Sequence, residues 1–120
     1  MIKSYKDLTV WQKSIELVTL IYKLTKLFPK EEIYGITNQM RRAAVSIPSN
    51  IAEGSSRKHR QEYLQFVRIA FGSGAELETQ ITISKKLGLA PPEEFRKSEE
   101  LLFEVMKMMN GLDFSLSAKH

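Results

Sequence analysis

The sequence predicts an all-α protein, with one domain (residues 1–120) folded as an up-down-up-down antiparallel four-helix bundle. Apolar residues recur at helical spacing in four segments, whereas the alternation typical of β-strands persists nowhere for long. Two of the four prolines, at positions 29 and 91, fall between those segments, and Pro92 opens the last one. The 120 residues, 42% hydrophobic and 27% charged, suffice for one packed core and not for two. We predict helices at residues 7–28, 36–54, 57–87 and 92–112.

The first predicted helix carries two apolar stripes. It begins at Asp7 or Thr9, either of which is a candidate N-cap, and it stops before Pro29. One stripe consists of Leu8, Trp11, Ile15, Val18 and Tyr22. The other consists of Val10, Leu17, Ile21, Leu24 and Phe28. Together they are wider than one packing face requires, so we expect one side to form a subunit interface. A wide contact within one chain is the alternative.

The second predicted helix contains a proline and a row of polar residues. Its core face consists of Ile36, Met40, Ala43, Ile47 and Ile51. Pro48 removes one helical N–H and predicts a kink or an irregular turn, and Gly54 is the expected C′ residue. The polar stripe on an adjacent face consists of Gln39, Arg42, Ser46, Asn50 and Glu53. We interpret this polar stripe as a structural network that fixes helix register or a subunit interface.

The third predicted helix has a glycine-rich centre. Its inward stripe consists of Tyr63, Phe66, Val67, Ala70, Gly74, Leu77 and Ile81. Gly72 and Gly74 each cost roughly 0.5–1 kcal/mol relative to alanine in a helix interior. We expect these small residues to let another backbone approach closely, most simply that of the second helix. A break in the helix at this point is the alternative. Gly88 is the predicted terminator.

The fourth predicted helix follows the last proline pair. Pro92 suits its first position, and the next residues, Glu93 and Glu94, lie where the macrodipole favours negative charge. The helix is expected to pack through Phe95, Leu102, Val105, Met109 and Leu112. Gly111 is expected to begin its termination and leave a frayed tail from residue 114 onwards.

The positive charge is concentrated in one segment. Residues 34–60 carry five basic side chains and one acid, Glu53, whereas the rest of the chain has 13 of each sign, so the net +4 belongs to this segment. Its last four residues, Arg57, Lys58, His59 and Arg60, form what we call the basic turn. The macrodipole disfavours cations at a helix start, so their presence here favours a phosphate-binding site. We expect Arg41 to extend that site. A solvated turn, with Glu53 and Glu62 as partial partners, is the alternative.

Enzymatic activity is not expected. The chain has no cysteine, which excludes disulfides and thiolate chemistry and fits a reducing cytoplasm. His59 and His120 lie in the basic turn and the tail, and no Glu-x-x-His pair, glycine-rich phosphate loop or nucleophile–base set is present. We therefore predict no metal and no cofactor. No apolar run approaches the ~18 residues of a membrane span, so we expect no membrane partner.

The string at residues 39–54, QMRRAAVSIPSNIAEG, resembles the signature of a bacterial four-helix-bundle family. Its members are encoded in intervening sequences of 23S rRNA genes and are known as S23 ribosomal protein-like. Further similar positions are Tyr5 to Leu8, Trp11 to Lys13, Phe28, Pro29, Glu32, Gly72, Ser73, Glu76 and Leu77. The family is similar to the accessory protein of diversity-generating retroelements, a basic homopentamer that binds nucleic acid and a reverse transcriptase. The resemblance implies a homopentamer without established enzymatic activity. His59 departs from the family pattern, in which a serine or threonine is expected at this position. Such a residue would form a capping box with Glu62.

Three functions remain open from the sequence. The first is a non-catalytic oligomer that binds RNA or DNA through backbone phosphates at Arg41, Arg57, Lys58 and Arg60. The second is an interaction scaffold that docks a nucleic-acid enzyme such as a reverse transcriptase. The third is a structural bundle with an incidental basic patch. Because no base-reading module is recognisable, we expect any nucleic-acid binding to tolerate different sequences.

Overall fold

The computed structural model describes residues 4–118, and these residues contain helices and no strand. The α-helices are α1 (Thr9–Thr25), α2 (Ile36–Ser55), α3 (Arg60–Lys86) and α4 (Arg96–Ser117). Short 3₁₀ turns at Tyr5–Asp7, Lys30–Glu32 and Pro92–Phe95 precede α1, α2 and α4. The all-α prediction is therefore confirmed. None of the described helices is both long and apolar enough to cross a membrane.

The four helices form an antiparallel bundle. The main contacts join α1 with α2 and α4, and α3 with the same two helices. Arg68 near the start of α3 pairs with Asp113 near the end of α4 at 2.9 Å. At the other end of the molecule, Lys85 of α3 pairs with Glu99 of α4 at 3.0 Å. The chain thus reverses direction at each connection. The molecule measures 49 × 23 × 21 Å along its three principal axes.

Several helix ends differ from the prediction, and α4 begins at Arg96 rather than at residue 92, because Pro92–Phe95 forms a 3₁₀ turn. Leu8, rather than Asp7 or Thr9, is the N-cap of α1, and it makes no side-chain capping hydrogen bond. After Thr25 the chain tightens, because the amide of Phe28 donates to the Thr25 carbonyl at 3.1 Å. Helix α4 runs to Ser117, so the expected termination at Gly111 and the frayed tail are wrong for residues up to 117. One interior glycine costs only about 1 kcal/mol, which the packing of α4 overrides.

The end of α3 is as predicted. Gly88 has φ +66°, in the left-handed region that glycine adopts without strain. Its amide donates to the Lys85 carbonyl, and the amide of Leu89 donates to the Ser84 carbonyl, both at 3.1 Å. This pair of bonds is a Schellman motif, which satisfies carbonyls that the helix end would leave without donors.

The other glycines have different roles from those expected. Gly54 does not end α2 but lies inside it, buried against α3, where a Cβ would lie 2.7 Å from the Phe66 Cβ. A Cβ at Gly74 would collide with the Met106 sulfur of α4, so this glycine accommodates α4 and not α2. Gly72 faces open space. Helix α3 continues unbroken through both glycines, and α2 continues unbroken through Pro48.

One of the two apolar stripes of α1 is fully part of the core, and the other packs against it only in part. Val10, Leu17, Ile21, Leu24 and Phe28 are buried, and Phe28 packs on Phe95 with ring centroids 6.1 Å apart. In the other stripe Leu8, Trp11 and Val18 are half-buried, whereas Ile15 and Tyr22 are each 39% exposed. Within one chain this second stripe is therefore incompletely covered. Its role as a subunit interface stays a prediction.

Candidate nucleic-acid interface

Arg57 in the basic turn is already engaged within the chain. Its Nη2 donates to the Glu53 carboxylate at 2.6 Å, and its guanidinium lies 4.9 Å above the Phe66 ring. Both side chains of the ion pair are substantially exposed, so the pair adds little stability. Its larger effect is on charge, because Glu53 cancels most of the field that Arg57 would present to a phosphate.

Lys58 and Arg60 keep their positive charges. Both are exposed, and neither forms an ion pair within residues 4–118. The Arg60 Nη1 donates to the Ala118 carbonyl at 2.9 Å, which ties the start of α3 to the end of α4. A carbonyl carries no net charge, so this bond positions the guanidinium without neutralising it.

The start of α3 lacks a side-chain cap. His59 occupies the N-cap position in extended conformation and its side chain makes no capping hydrogen bond. Helix α3 thus begins at Arg60 rather than at residue 57, without a side-chain cap from His59. The Glu62 amide donates to the His59 carbonyl at 3.1 Å, so Arg60 and Gln61 supply the first-turn amides that no capping side chain satisfies.

A groove of about 640 Å³ lies beside the basic turn, between the start of α3 and the end of α4. Leu64 contributes apolar surface to it, and Arg60 and Arg68 contribute cations. Arg68 is bound by Asp113 through two nitrogens, at 2.9 and 3.4 Å. This hydrogen bond, together with the charge of Asp113, raises the pKa of Arg68 above its ordinary value. Of the two arginines that line this groove, Arg60 is therefore the one without a carboxylate partner among the described residues.

The centre of the polar stripe forms hydrogen bonds. Ser46 Oγ lies 2.8 Å from Ser73 Oγ of α3, and the Asn50 side-chain amide donates to the Ser46 carbonyl and hydroxyl, at 2.8 and 2.9 Å. The bond between Ser46 and Ser73 joins α2 to α3 two residues before Pro48, whereas the two Asn50 bonds lie within α2 and span the proline. The network therefore links helix register to the backbone around the proline.

The outer members of the polar stripe are not part of that network. Gln39 and Arg42 are exposed and line a groove of about 290 Å³ that Ser73 and Glu76 of α3 complete. Glu53 pairs with Arg57 at the far end of α2 and not with Arg42. The acid that faces Arg42 across the groove is Glu76 of α3. The predicted polar stripe had grouped Arg42 with Glu53 of α2 instead.

Arg41 does not extend the basic turn. It is half-buried near the start of α2, where its Nε donates to Thr25 Oγ1 at 2.9 Å. Arg41 and Ser55 are 14 residues apart in one helix, which is roughly 21 Å. The four basic residues predicted as one phosphate site therefore divide into two places at opposite ends of α2.

Several residues at these sites were not singled out in the sequence: Thr25, Arg68, Asp113 and Ala118. The pairing of Arg57 with Glu53 follows i,i+4 spacing and was visible in the sequence. The contacts of Arg68 and Arg60 join positions 45 and 58 apart, and no local pattern indicates them. Within residues 4–118 no group of three histidine or acidic side chains could hold a metal ion. His120 lies outside the described residues.

Comparison with known proteins identifies relatives of the same fold. A family model described as 23S rRNA-intervening sequence protein matches residues 6–111. The chain is also similar to the crystal structure of a protein of unknown function from the S23 ribosomal protein family of Bacteroides thetaiotaomicron VPI-5482. The two are 20% identical and superpose with a TM-score of 0.79, over 88% of this chain and 98% of that chain. At this identity the likeness concerns the fold. No curated protein matches the chain significantly.

Proposed function

The chain belongs to the 23S rRNA-intervening sequence protein family, and from this premise we propose that it is a non-catalytic oligomer that binds RNA or DNA through backbone phosphates. The observation that carries the proposal is the pair Lys58 and Arg60, two exposed cations without a carboxylate partner among the described residues. They lie next to an uncapped helix start, where both the free amides and the macrodipole favour an anion.

The geometry favours binding to phosphates over the reading of bases. The basic turn is four residues long, its side chains are exposed, and α3 begins at its last residue. The contacts available to a nucleic acid are charged side chains and helix amides, which recognise phosphates irrespective of sequence. We therefore expect similar affinities for different sequences and a strong dependence on salt.

The proposal includes a homopentamer, as the resemblance to the retroelement accessory protein implies. The incompletely covered stripe of α1, with Ile15 and Tyr22 both 39% exposed, supports self-association. In a ring of five subunits, each basic turn would be repeated, so weak phosphate contacts would act together. Sedimentation equilibrium should give five subunits per particle, and Ile15→Lys should lower that number. A monomeric wild-type protein would refute this part of the proposal.

Salt titration tests the nucleic-acid proposal directly. Two free cations per subunit predict that log K falls with log[salt] with a slope of roughly −1.4 for each subunit engaged on a single strand. The double variant Lys58→Gln, Arg60→Gln should remove that contribution. The matched control is Lys86→Gln, Lys107→Gln, which removes two exposed lysines of α3 and α4 that lack ion pairs in the described structure.

The outcomes separate binding from folding. Circular dichroism should show the same helix content for both double variants, because the four side chains are exposed. Equal losses of affinity in both would mean that net charge alone matters and would remove the assignment to the basic turn. No binding of the wild-type protein to a structured rRNA fragment or a random RNA at ~50 mM salt, where electrostatic binding is strong, would refute the proposal.

A second candidate function, docking of a protein such as a reverse transcriptase, has its own observation. Phe103 and Phe114 on α4 are 72% and 76% exposed. Eleven residues of helix turn about 20° past three full turns, so the two rings lie on one face. Exposed phenylalanines on one face are typical of a protein contact. The double variant Phe103→Ser, Phe114→Ser should lose affinity for a purified retroelement reverse transcriptase while keeping its subunit number. Unchanged affinity would exclude this face.

A further inference from the structure

Arg41 is held in one orientation by its surroundings. Its guanidinium carbon lies 4.5 Å from the centroid of the Tyr22 ring, and its Nε donates to Thr25 Oγ1 at 2.9 Å. Thr25 is only 3% exposed, and its own hydroxyl donates to the Ile21 carbonyl at 2.7 Å. The acceptor that orients Arg41 is therefore itself fixed in the core. Stacking on a tyrosine and a bond to a buried hydroxyl leave the guanidinium little freedom.

The charge of Arg41 has no anionic partner in the described part of the chain. A guanidinium has five N–H donors, and the bond to Thr25 uses the one on Nε. Arg41 forms no ion pair within residues 4–118, although it is half-buried. Removing a cation partly from water without a counter-ion is unfavourable. The four Nη donors are thus available to an anion from outside the chain.

The other charged side chains that line the grooves around Arg41 are also positive. Arg41 lines two grooves, of about 460 and 360 Å³, on the surface formed by α1, α2 and their connection. Arg42 lines the first groove, and Lys26 and Lys30 line the second. No acidic side chain lines either groove. Arg42 also faces Glu76 across a third groove. Arg41, Lys26 and Lys30 are therefore the cations whose grooves no acid lines, and they suit a chain of successive phosphates.

An exposed aromatic ring stands beside the second groove. Tyr34 is 94% exposed and follows Ile33, which lines that groove. Cations that follow a backbone, together with an aromatic ring on which a base stacks, are the combination that binds single strands without sequence preference.

We infer that the surface around Arg41 is a second binding site, specific for single-stranded nucleic acid, in which the Arg41 Nη groups hold a phosphate and Tyr34 stacks on a base. The inference rests on the proposed function for the ligand class. It adds a site at the end of α2 opposite the basic turn, roughly 21 Å away along the helix. Tyr22 is the last residue of the exposed α1 stripe, so the site lies at one edge of the expected subunit interface.

The test measures fluorescence anisotropy with a single-stranded RNA of mixed sequence and roughly 12 nucleotides, a length within the range of single-strand binding sites. Arg41→Gln should weaken binding about five- to tenfold and make the salt slope shallower by roughly 0.7. Arg41→Lys keeps the charge but loses the Nε bond, so it should give an intermediate loss. Tyr34→Ala should weaken binding at least about fivefold. The control is Lys23→Gln, an exposed lysine beside Glu94 on the other side of α1, and it should leave the affinity nearly unchanged.

Each outcome decides between the two claims. If the wild-type protein does not bind the RNA, the proposed function fails and the inference fails with it. If it binds and Arg41→Gln binds equally well, the site at Arg41 is refuted while the proposed function stands. If Arg41→Gln changes the subunit number, measured by sedimentation, and leaves the affinity per subunit unchanged, the partner of Arg41 is a carboxylate of a second copy, which also overturns the inference.

Discussion

At Gly54, α2 lies against α3 without room for a side chain. The substitution Gly54→Ala tests this close approach of the two helices, which holds the chain just before the basic turn. A Cβ at this position would lie 2.7 Å from the Phe66 Cβ and 3.2 Å from the Tyr63 carbonyl oxygen. Carbon atoms in favourable contact are about 3.5–4.0 Å apart, so the helices would have to separate by about 1 Å. The nearest atom, the Phe66 Cβ, cannot move without its helix, and the Tyr63 ring carbon Cδ1 follows at 3.0 Å.

The magnitude follows from two opposing effects. Overpacking of this kind costs typically about 1–3 kcal/mol. Alanine gains roughly 0.5–1 kcal/mol over glycine in a helix interior. We expect a net loss of about 1–2 kcal/mol in the free energy of unfolding. For a protein of this size, that corresponds to a fall in Tm of about 4–8 °C.

Thermal and urea denaturation, followed by circular dichroism at one fixed protein concentration, measure this effect. The matched control is Gly72→Ala, since Gly72 lies in the interior of α3 and a Cβ there would meet nothing within 4 Å. This variant should gain about 0.5–1 kcal/mol from helix propensity alone. If Gly54→Ala melts at or above the wild-type temperature while Gly72→Ala behaves as expected, the close approach of α2 and α3 is wrong.

Three further predictions concern single contacts. Gly88→Ala places a Cβ in the left-handed region at φ +66° and should cost about 1 kcal/mol in urea denaturation, whereas no change would contradict the Schellman motif. Ser73→Ala removes the 2.8 Å bond to Ser46 and should cost about 1 kcal/mol, more than the same change at an exposed serine such as Ser49. Burial raises the pKa of Tyr63, so the folded state disfavours the phenolate and stability should fall as pH rises above about 10. Tyr63→Phe should weaken that fall in Tm between about pH 9 and pH 11, and an identical fall in both proteins would refute it.

The arrangement of the basic turn changes what its sequence suggested. Three basic side chains in four residues present less free charge than their number indicates, because Glu53 neutralises Arg57. The remaining cations are positioned differently: Arg60 is bound to the end of α4, and Lys58 is exposed and forms no hydrogen bond or ion pair among the described residues. In the proposed interface, Arg60 would therefore orient a phosphate, and Lys58 would add charge with little geometric constraint.

Local patterns determined the fold. Apolar spacing of 3.6 residues predicted each of the four helices, because the face that a residue occupies depends only on its position within its own helix. The same spacing gave the core stripe of α1 from Val10 to Phe28, and Gly88 was readable as a terminator because the conformation it supplies is local. Glu53 and Arg57 were likewise within reach of the i,i+4 rule.

Tertiary structure decided the rest, because contacts between helices depend on their relative position and not on spacing within one of them. The sequence showed Gly54 as a glycine near a helix end, whereas the neighbouring Phe66 and Tyr63 make it a packing position inside the helix. It showed Arg41 and Arg60 as members of one basic segment. Thr25 and Ala118, distant in sequence, hold these two arginines at opposite ends of α2. Which cations remain free to meet a phosphate is fixed by those long-range partners, and only the folded chain brings them together.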